Sequence, residues 1–222
     1  MEQKIVWSHS AIKDYEGCAR RYHETRVLKN YPFEKTEQII YGEELHKAAE
    51  LYVRDGVALP AQFEFIKPTV DALIAKPGRK FAEQKMALTV DLQPCDFFSP
   101  DVWVRGIIDL LIVDDEDMTA WIVDYKTGSD KYPDISQLEL MSLLTFAHHP
   151  HIRHINSALL FVVKGSMHKF KMSLDRKDDA WWKYRERVAR LAASFETGVW
   201  NPSQSPLCKW CPVRGCEFNP RH

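Results

Sequence analysis

Two apolar words, each interrupted by one aspartate, constrain this chain more than any other feature. They read Gly106-Ile107-Ile108-Asp109-Leu110-Leu111-Ile112 and Trp121-Ile122-Val123-Asp124-Tyr125-Lys126-Thr127-Gly128. Short runs this rich in Ile, Leu and Val predict interior β-strands. A carboxylate inside such a strand is costly unless it is paired or bound to a cation. Residues two apart on a strand share a face, which sets Asp124 and Lys126 side by side. The acidic stretch Asp114-Asp115-Glu116-Asp117 predicts a turn that makes the two strands neighbours, so that Asp109 reaches the same place.

The rest of the chain predicts elements around this centre. A helical pattern follows Ser8-His9-Ser10 over 8–30, a second spans 38–54 with Leu45, Ala48, Ala49 and Tyr52 at helical spacing, and a third spans 62–75. Strands are expected over 82–92, 102–113 and 119–126, then a helix near 134–148. A hairpin of 157–163 and 167–174 turns at Gly165-Ser166, and a helix over 176–197 stops at Gly198. The tail from Asn201 is rich in proline and cysteine and has no periodicity. With no internal repeat or linker, the pattern predicts a single α/β domain over 1–222, with its core over about 40–175.

Charge and cysteine content narrow the function classes. A net charge of −1 excludes a generally basic surface but leaves room for a local basic groove. No apolar run is long enough to cross a bilayer. Met1-Glu2-Gln3-Lys4-Ile5 lacks the apolar stretch of an export signal, so a cytoplasmic chain without membrane partners is expected. In that compartment an odd count of five cysteines points to metal rather than to disulfides.

Two carboxylates and one ammonium suit phosphodiester hydrolysis. Carboxylate oxygens hold Mg²⁺ or Mn²⁺, and such an ion polarises the phosphate and lowers the pKa of a water. A lysine can orient that water or stabilise the developing charge. Taken alone, an Asp-x-Lys triplet is more often a structural salt bridge at a strand end. Gly42-x-x-x-His46-x-x-x-Glu50 stacks three positions on one helical face. His46 is thereby a candidate metal ligand that Glu50 could orient from the next turn, or else a packed histidine. Glu83 offers a further carboxylate or a solvated strand-end charge, and Gln137 could bond the attacking water or a phosphate.

Taken in order, Gly-x-x-x-His, Glu, Gly-Ile-Ile-Asp, Asp-Tyr-Lys-Thr-Gly and a following Gln resemble the RecB-type branch of the PD-(D/E)XK nuclease superfamily, over roughly residues 42–141. The resemblance implies a restriction-endonuclease-like core, a mixed central β-sheet flanked by helices. It implies His46, Asp109 and Asp124 as metal ligands, with the Tyr125 carbonyl as a further oxygen. Lys126 would be the catalytic lysine, helped by Gln137 and Glu83. One departure is that the family often has Gln-x-x-x-Tyr, whereas Met141 stands four residues after Gln137 here. The implied activity is a metal-dependent DNA exonuclease acting on single-stranded or frayed ends in repair, recombination or phage DNA processing. The alternative is a nuclease-like DNA-binding subunit of a larger repair or CRISPR-acquisition complex. The words do not separate DNA from RNA.

Cys208-Lys209-Trp210-Cys211 is a Cys-x-x-Cys knuckle, and Cys216 follows after four residues. Three thiolates call for a fourth ligand, and Cys18, in the N-terminal helix beside Arg20 and Arg21, is a better donor than Cys95 in the β-rich middle. Iron–sulfur nucleases of the CRISPR adaptation and AddB kind are similar in having one early and three late cysteines. That likeness implies a [4Fe-4S] cluster tying the tail to the N-terminal helix; Zn²⁺ at the same four thiolates stays open. The basic residues Arg20-Arg21, Lys164 to Lys171 and Lys183 to Arg190 are dispersed and read as solvated faces. Trp181, Trp182, Trp200 and Trp210 either stack on unpaired bases or fill a core. His148, His149 and His151 flank Pro150 and read as a solvated helix end.

Overall fold

The computed structural model describes residues 5–221. Residues 1–4, which make up most of the segment read for an export signal, lie outside the described residues, as does residue 222. The described residues fall into two compact units, one made of Lys35–Trp181 and the other of the segments before and after it.

In the unit built from the chain ends, Ser8 caps α1 (His9–Gly17), its hydroxyl accepting the Ala11 amide. The expected continuous helix over 8–30 is broken. Cys18 is extended (φ −170°, ψ 110°), and α2 (Ala19–Tyr22) and a wide turn over His23–Val27 follow it. Cys18 therefore stands at a junction rather than within a helix. Its Sγ takes the place of a capping oxygen and accepts the Arg21 amide at 3.4 Å.

The Lys35–Trp181 unit opens with α3 (Glu37–Asp55), capped by the Thr36 side chain and stopped at Gly56, whose φ of 68° suits glycine. A 3-10 turn over Ala61–Ile66 leads into α4 (Lys67–Ile74). Pro68 sits in the first turn of α4, where a missing amide hydrogen does no harm. Six strands follow, β1 (Arg79–Leu88), β2 (Pro94–Cys95), β3 (Val104–Asp114), β4 (Thr119–Lys126), β5 (His154–Phe161) and β6 (Ser166–Ser173), with α5 (Ser136–His148) between β4 and β5. β1 ends at Leu88, earlier than the alternation suggests, because the chain turns back with Leu92 at φ 61°.

The strands form one mixed sheet in the order β2-β1-β3-β4-β5-β6. Every neighbouring pair is antiparallel except β4–β5, whose parallel pairing needs the crossover that α5 supplies. The acidic turn forms as expected, with Asp114 Oδ1 accepting the Glu116 and Asp117 amides at 3.2 Å.

Helix α5 is buried almost all round, so Ser142 and Thr145 turn their hydroxyls onto the Leu138 and Met141 carbonyls of the same helix. Gly106 makes room for it, since a Cβ there would lie 2.8 Å from Leu144 Cδ1. A separate cluster joins Leu45, Ala48 and Ala49 of α3 and Val70 of α4 to Leu110, Ile112, Val123 and Tyr125 of the sheet.

Helix α6 (Lys177–Thr197) ends at Gly198, left-handed at φ 69°, as its sequence predicts. Within the unit of chain ends it is joined to α1. Arg187 forks onto the Glu16 carboxylate with two contacts of 2.7 Å, and the Tyr15 hydroxyl meets the Arg190 carbonyl and Ser194 Oγ, each at 2.8 Å. Trp7 stacks on Tyr184. Among the described residues, no helix is long and apolar enough to cross a membrane.

Candidate active site

The site begins where the ladders fail. Between β3 and β4 the last backbone pair is Leu110 with Val123, so the next step would set Asp109 against Asp124. Instead the Tyr125 amide donates to Asp109 Oδ2 at 2.7 Å, and a side chain replaces the strand acceptor. Between β1 and β3 the pairs Ala82–Leu110 and Gln84–Ile108 form, while Glu83 and Asp109 between them do not pair.

Glu83 carries a φ of 49°, a left-handed conformation that an L-residue rarely adopts and that costs about 1–2 kcal/mol. The pleat reverses at this point. Gly106 faces Leu144 of α5, yet Leu110 and Ile112, an even number of residues further on, pack in the α3 cluster.

This break brings Glu83 and Asp109 together with His46 of α3. One ligand atom from each of the three lies within 4.8 Å of the others. His46 Nδ1 is 3.2 Å from Asp109 Oδ1 and 4.0 Å from Glu83 Oε1. Burial lowers the basicity of His46, but the Asp109 hydrogen bond and the charges of Asp109, Asp124 and Glu83 outweigh it and raise the imidazole pKa. The Glu83 carboxyl is raised as well, by burial first and then by Asp109. Three acidic or imidazole donors spaced this closely, two of them half-buried and mutually repelling as anions, fit an oxygen- and nitrogen-liganded divalent ion about 2.0–2.6 Å from each.

Asp124 lies beside this group and closes a second arrangement. Lys126 shares its strand face, as the two-residue spacing predicts, with Nζ 2.5 Å from Asp124 Oδ2. Gln137, in the first turn of α5, accepts from Lys126 Nζ at 3.0 Å and donates to Asp124 Oδ1 at 2.6 Å. Burial, followed by the nearby Asp109 charge, pushes the Asp124 carboxyl up to about 6, against the opposing pull of Lys126. The Tyr125 ring points into the apolar cluster with its hydroxyl buried and without a hydrogen-bond partner among the described residues.

Sequence reasoning missed three features here. The Asp109–Tyr125 bond depends on register, which spacing does not show. The small residue at Gly42 also has a contact to explain it: a Cβ there would lie 3.2 Å from Thr127 Oγ1, so α3 passes close to the loop after β4. Glu50 does not orient His46. It is held instead by Lys47 at 2.8 Å and by Arg54, the two cations within one helical turn of it.

The unit of chain ends brings four of the five cysteines together. Cys18, Cys208, Cys211 and Cys216 line one cavity of about 70 Å³ with Arg20 and Arg21, whereas Cys95 lies at the end of β2. The Arg21 and Ser203 amides point at Cys18 Sγ, and the Ser205 amide at Cys208 Sγ. Such amides stabilise thiolate charge. Among the described residues, no three of these sulfurs lie within 4.8 Å of one another. Elsewhere, His148 bonds the Ala87 carbonyl and His151 the Asp115 carboxylate. Trp181 is buried and Trp200 is stacked with His23, while Trp182 and Trp210 are exposed.

Comparison with known proteins places this geometry. A sequence profile of the PD-(D/E)XK nuclease superfamily matches residues 6–216. Among solved structures, a crystal structure named "Putative exonuclease" from Eubacterium rectale is similar, with a TM-score of 0.52 and 13% identity, covering 94% of this chain and 87% of that one. A structure named SSO0001 matches with a TM-score of 0.47 and 12% identity, covering 100% and 89%. A search of curated proteins finds no match. The chain belongs to the PD-(D/E)XK nuclease superfamily.

Proposed function

We propose that this PD-(D/E)XK nuclease hydrolyses DNA from single-stranded or frayed ends, using Mg²⁺ or Mn²⁺. The observation that carries the reading is the meeting of His46, Glu83 and Asp109 at one point, with Lys126 held against Asp124 beside it. His46, Asp109 and Asp124 hold the ion, with Glu83 and the Tyr125 carbonyl as further oxygens. When bound, the ion polarises the scissile phosphate and makes hydroxide available near neutrality. Lys126 presents a cation to the phosphate oxygens as charge develops on them. Gln137 fixes both Lys126 and Asp124, so that neither relaxes away when a phosphate arrives.

Labelled single-stranded and duplex DNA and RNA, incubated with Mg²⁺, Mn²⁺ or EDTA, test this reading. Loss of cleavage in Lys126→Ala and Asp124→Ala, with folding preserved, is expected. Undiminished cutting by either variant rejects the assignment. Binding of DNA without cleavage by the unaltered chain would favour a nuclease-like subunit of a larger repair or recombination complex.

The cavity lined by Cys18, Cys208, Cys211 and Cys216 suits a [4Fe-4S] cluster, with Zn²⁺ at the same four thiolates as the alternative. The amides directed at Cys18 and Cys208 suit the sulfur ligands of such a cluster. Anaerobic purification followed by iron and sulfide assays decides the matter; a colourless protein with stoichiometric zinc overturns the iron reading.

A further inference from the structure

We propose that the unit carrying the cysteines also holds a stacking platform for a short unpaired nucleic-acid strand. The platform is the open cleft, about 980 Å³ in volume, between the 31–34 segment and the loop around Trp210. It contains none of the residues of the His46–Asp109 site.

Charge is the first observation. Arg21, Arg26, Arg214 and Arg221 line the cleft against only two acids, Asp14 and Glu34. Four cations and two anions leave the cleft at +2, on a chain whose total is −1. Asp14 is shared, since Arg26 Nε reaches it at 2.6 Å and Arg21 at 3.6 Å. Arg221 is anchored through Nη2 to the Cys211 carbonyl at 2.9 Å, which positions it without neutralising it. Arg214 has no ion-pair or hydrogen-bond partner among the described residues. Guanidinium forks are suited to phosphate.

Aromatic exposure is the second observation. Phe33 is 76% and Trp210 65% exposed, among the most open large apolar side chains described, and Tyr31 joins them in the cleft. Lys209 adds a further cation 4.0 Å from the Trp210 ring centroid. Exposed rings interleaved with arginines are what a strand of unpaired bases needs, because bases stack on the rings while phosphates meet the guanidiniums. A duplex would satisfy the arginines but keeps its base faces covered. An acidic peptide would likewise leave the rings without stacking partners.

Trp210 lies between Cys208 and Cys211, in the 3-10 turn over Pro206–Trp210 that Ser205 caps.

The test uses the full chain without added divalent ion. Fluorescein-labelled oligothymidine and oligouridine of about 15 nucleotides, and a DNA duplex of equal length, are titrated by anisotropy, with integrity checked on a gel. Wild type should bind the single strands more tightly than the duplex, and the DNA and RNA arms show which sugar is preferred. Phe33→Ala and Trp210→Ala should each weaken single-strand binding roughly tenfold. Arg214→Gln should reduce the salt slope of log affinity by about 0.7.

Unchanged single-strand affinity in the Phe33→Ala, Trp210→Ala double variant overturns the proposal, as does equal competition by polyglutamate. Should a variant misfold, photocrosslinking of 5-iodouracil-substituted strands to wild type decides. Adducts on Trp210 or Tyr31 support the platform, and adducts confined to other segments reject it. Cleavage with Mg²⁺ is measured separately, so the catalytic reading stands or falls on its own.

Discussion

Asp109 Oδ2 accepts the Tyr125 amide at 2.7 Å, one step beyond the last backbone pair of β3 and β4. A single carboxylate thus replaces a strand hydrogen bond with one oxygen while its other oxygen turns to His46 at 3.2 Å. Structure and chemistry share this residue, and isosteric substitution separates them. Asp109→Asn keeps an oxygen for the amide and should retain near-normal stability while metal-dependent cleavage falls by at least about a hundredfold. Asp109→Ala orphans the Tyr125 amide and should cost a further 1–3 kcal/mol, roughly, in urea denaturation. Equal stability of the two variants would show that the bond contributes nothing.

At Glu83 the backbone strain reverses the usual ranking of substitutions. Glycine normally weakens a strand, but at φ 49° it relieves a conformation that alanine must keep. Glu83→Gly should therefore melt above Glu83→Ala, by about 0.5–1 kcal/mol of stability. Both should bind Mn²⁺ more weakly, since each removes a carboxylate from the His46–Asp109 group. A Glu83→Ala variant that melts higher would mean the strand relaxes freely.

Gln137 hydrogen-bonds Lys126 and Asp124, and on the proposed function it acts through them. Gln137→Ala should lower metal affinity or turnover about 10–100-fold with little change in substrate affinity. Gln137→Glu should be worse at alkaline than at acid pH, because a second carboxylate then faces buried Asp124. Paired kcat and KM measurements across pH check both statements.

The raised carboxyl of Asp124 gives a pH dependence with a definite sign. Its folded value of about 6 lies above the ordinary aspartate value of about 4, so between these limits the metal-free folded chain holds a proton that the unfolded chain has released. Stability from this group is therefore full below about 4 and declines as pH rises through about 6. Mn²⁺ must displace that proton and the one retained by His46, whose pKa is also raised. Metal affinity should climb with pH through 6 and continue rising through neutrality. Calorimetric titration with Mn²⁺ in buffers of different ionisation heat should register proton release. A flat affinity over about pH 5–8 would sink the coupling.

Much of this site was legible in the chain itself. Asp124 and Lys126 fall on one face because a strand repeats every two residues, and the acidic turn fixes β3 beside β4. The α/β class followed from the same pattern, as did α3, α5 and α6 to within a residue or two at most ends, while the mixed sheet was implied by the family resemblance. Helix 8–30 was not legible as it stands, because periodicity does not reveal that Cys18 leaves the helix to cap the next turn.

The sequence by itself determined which residue types stand on which strand and helix face, because side-chain direction in regular structure depends only on spacing. It also singled out Cys18 with Cys208, Cys211 and Cys216, which line one cavity in the structure. Tertiary structure alone decided that Glu83 swings out of its ladder toward Asp109, that Gln137 locks Lys126 to Asp124, and that Glu50 turns to Lys47 and Arg54. It alone also gathered Arg21, Arg26, Arg214 and Arg221, separated by most of the chain, around Phe33 and Trp210. These outcomes depend on register, on one reversed pleat and on contacts between distant segments. Local periodicity carries no record of any of them.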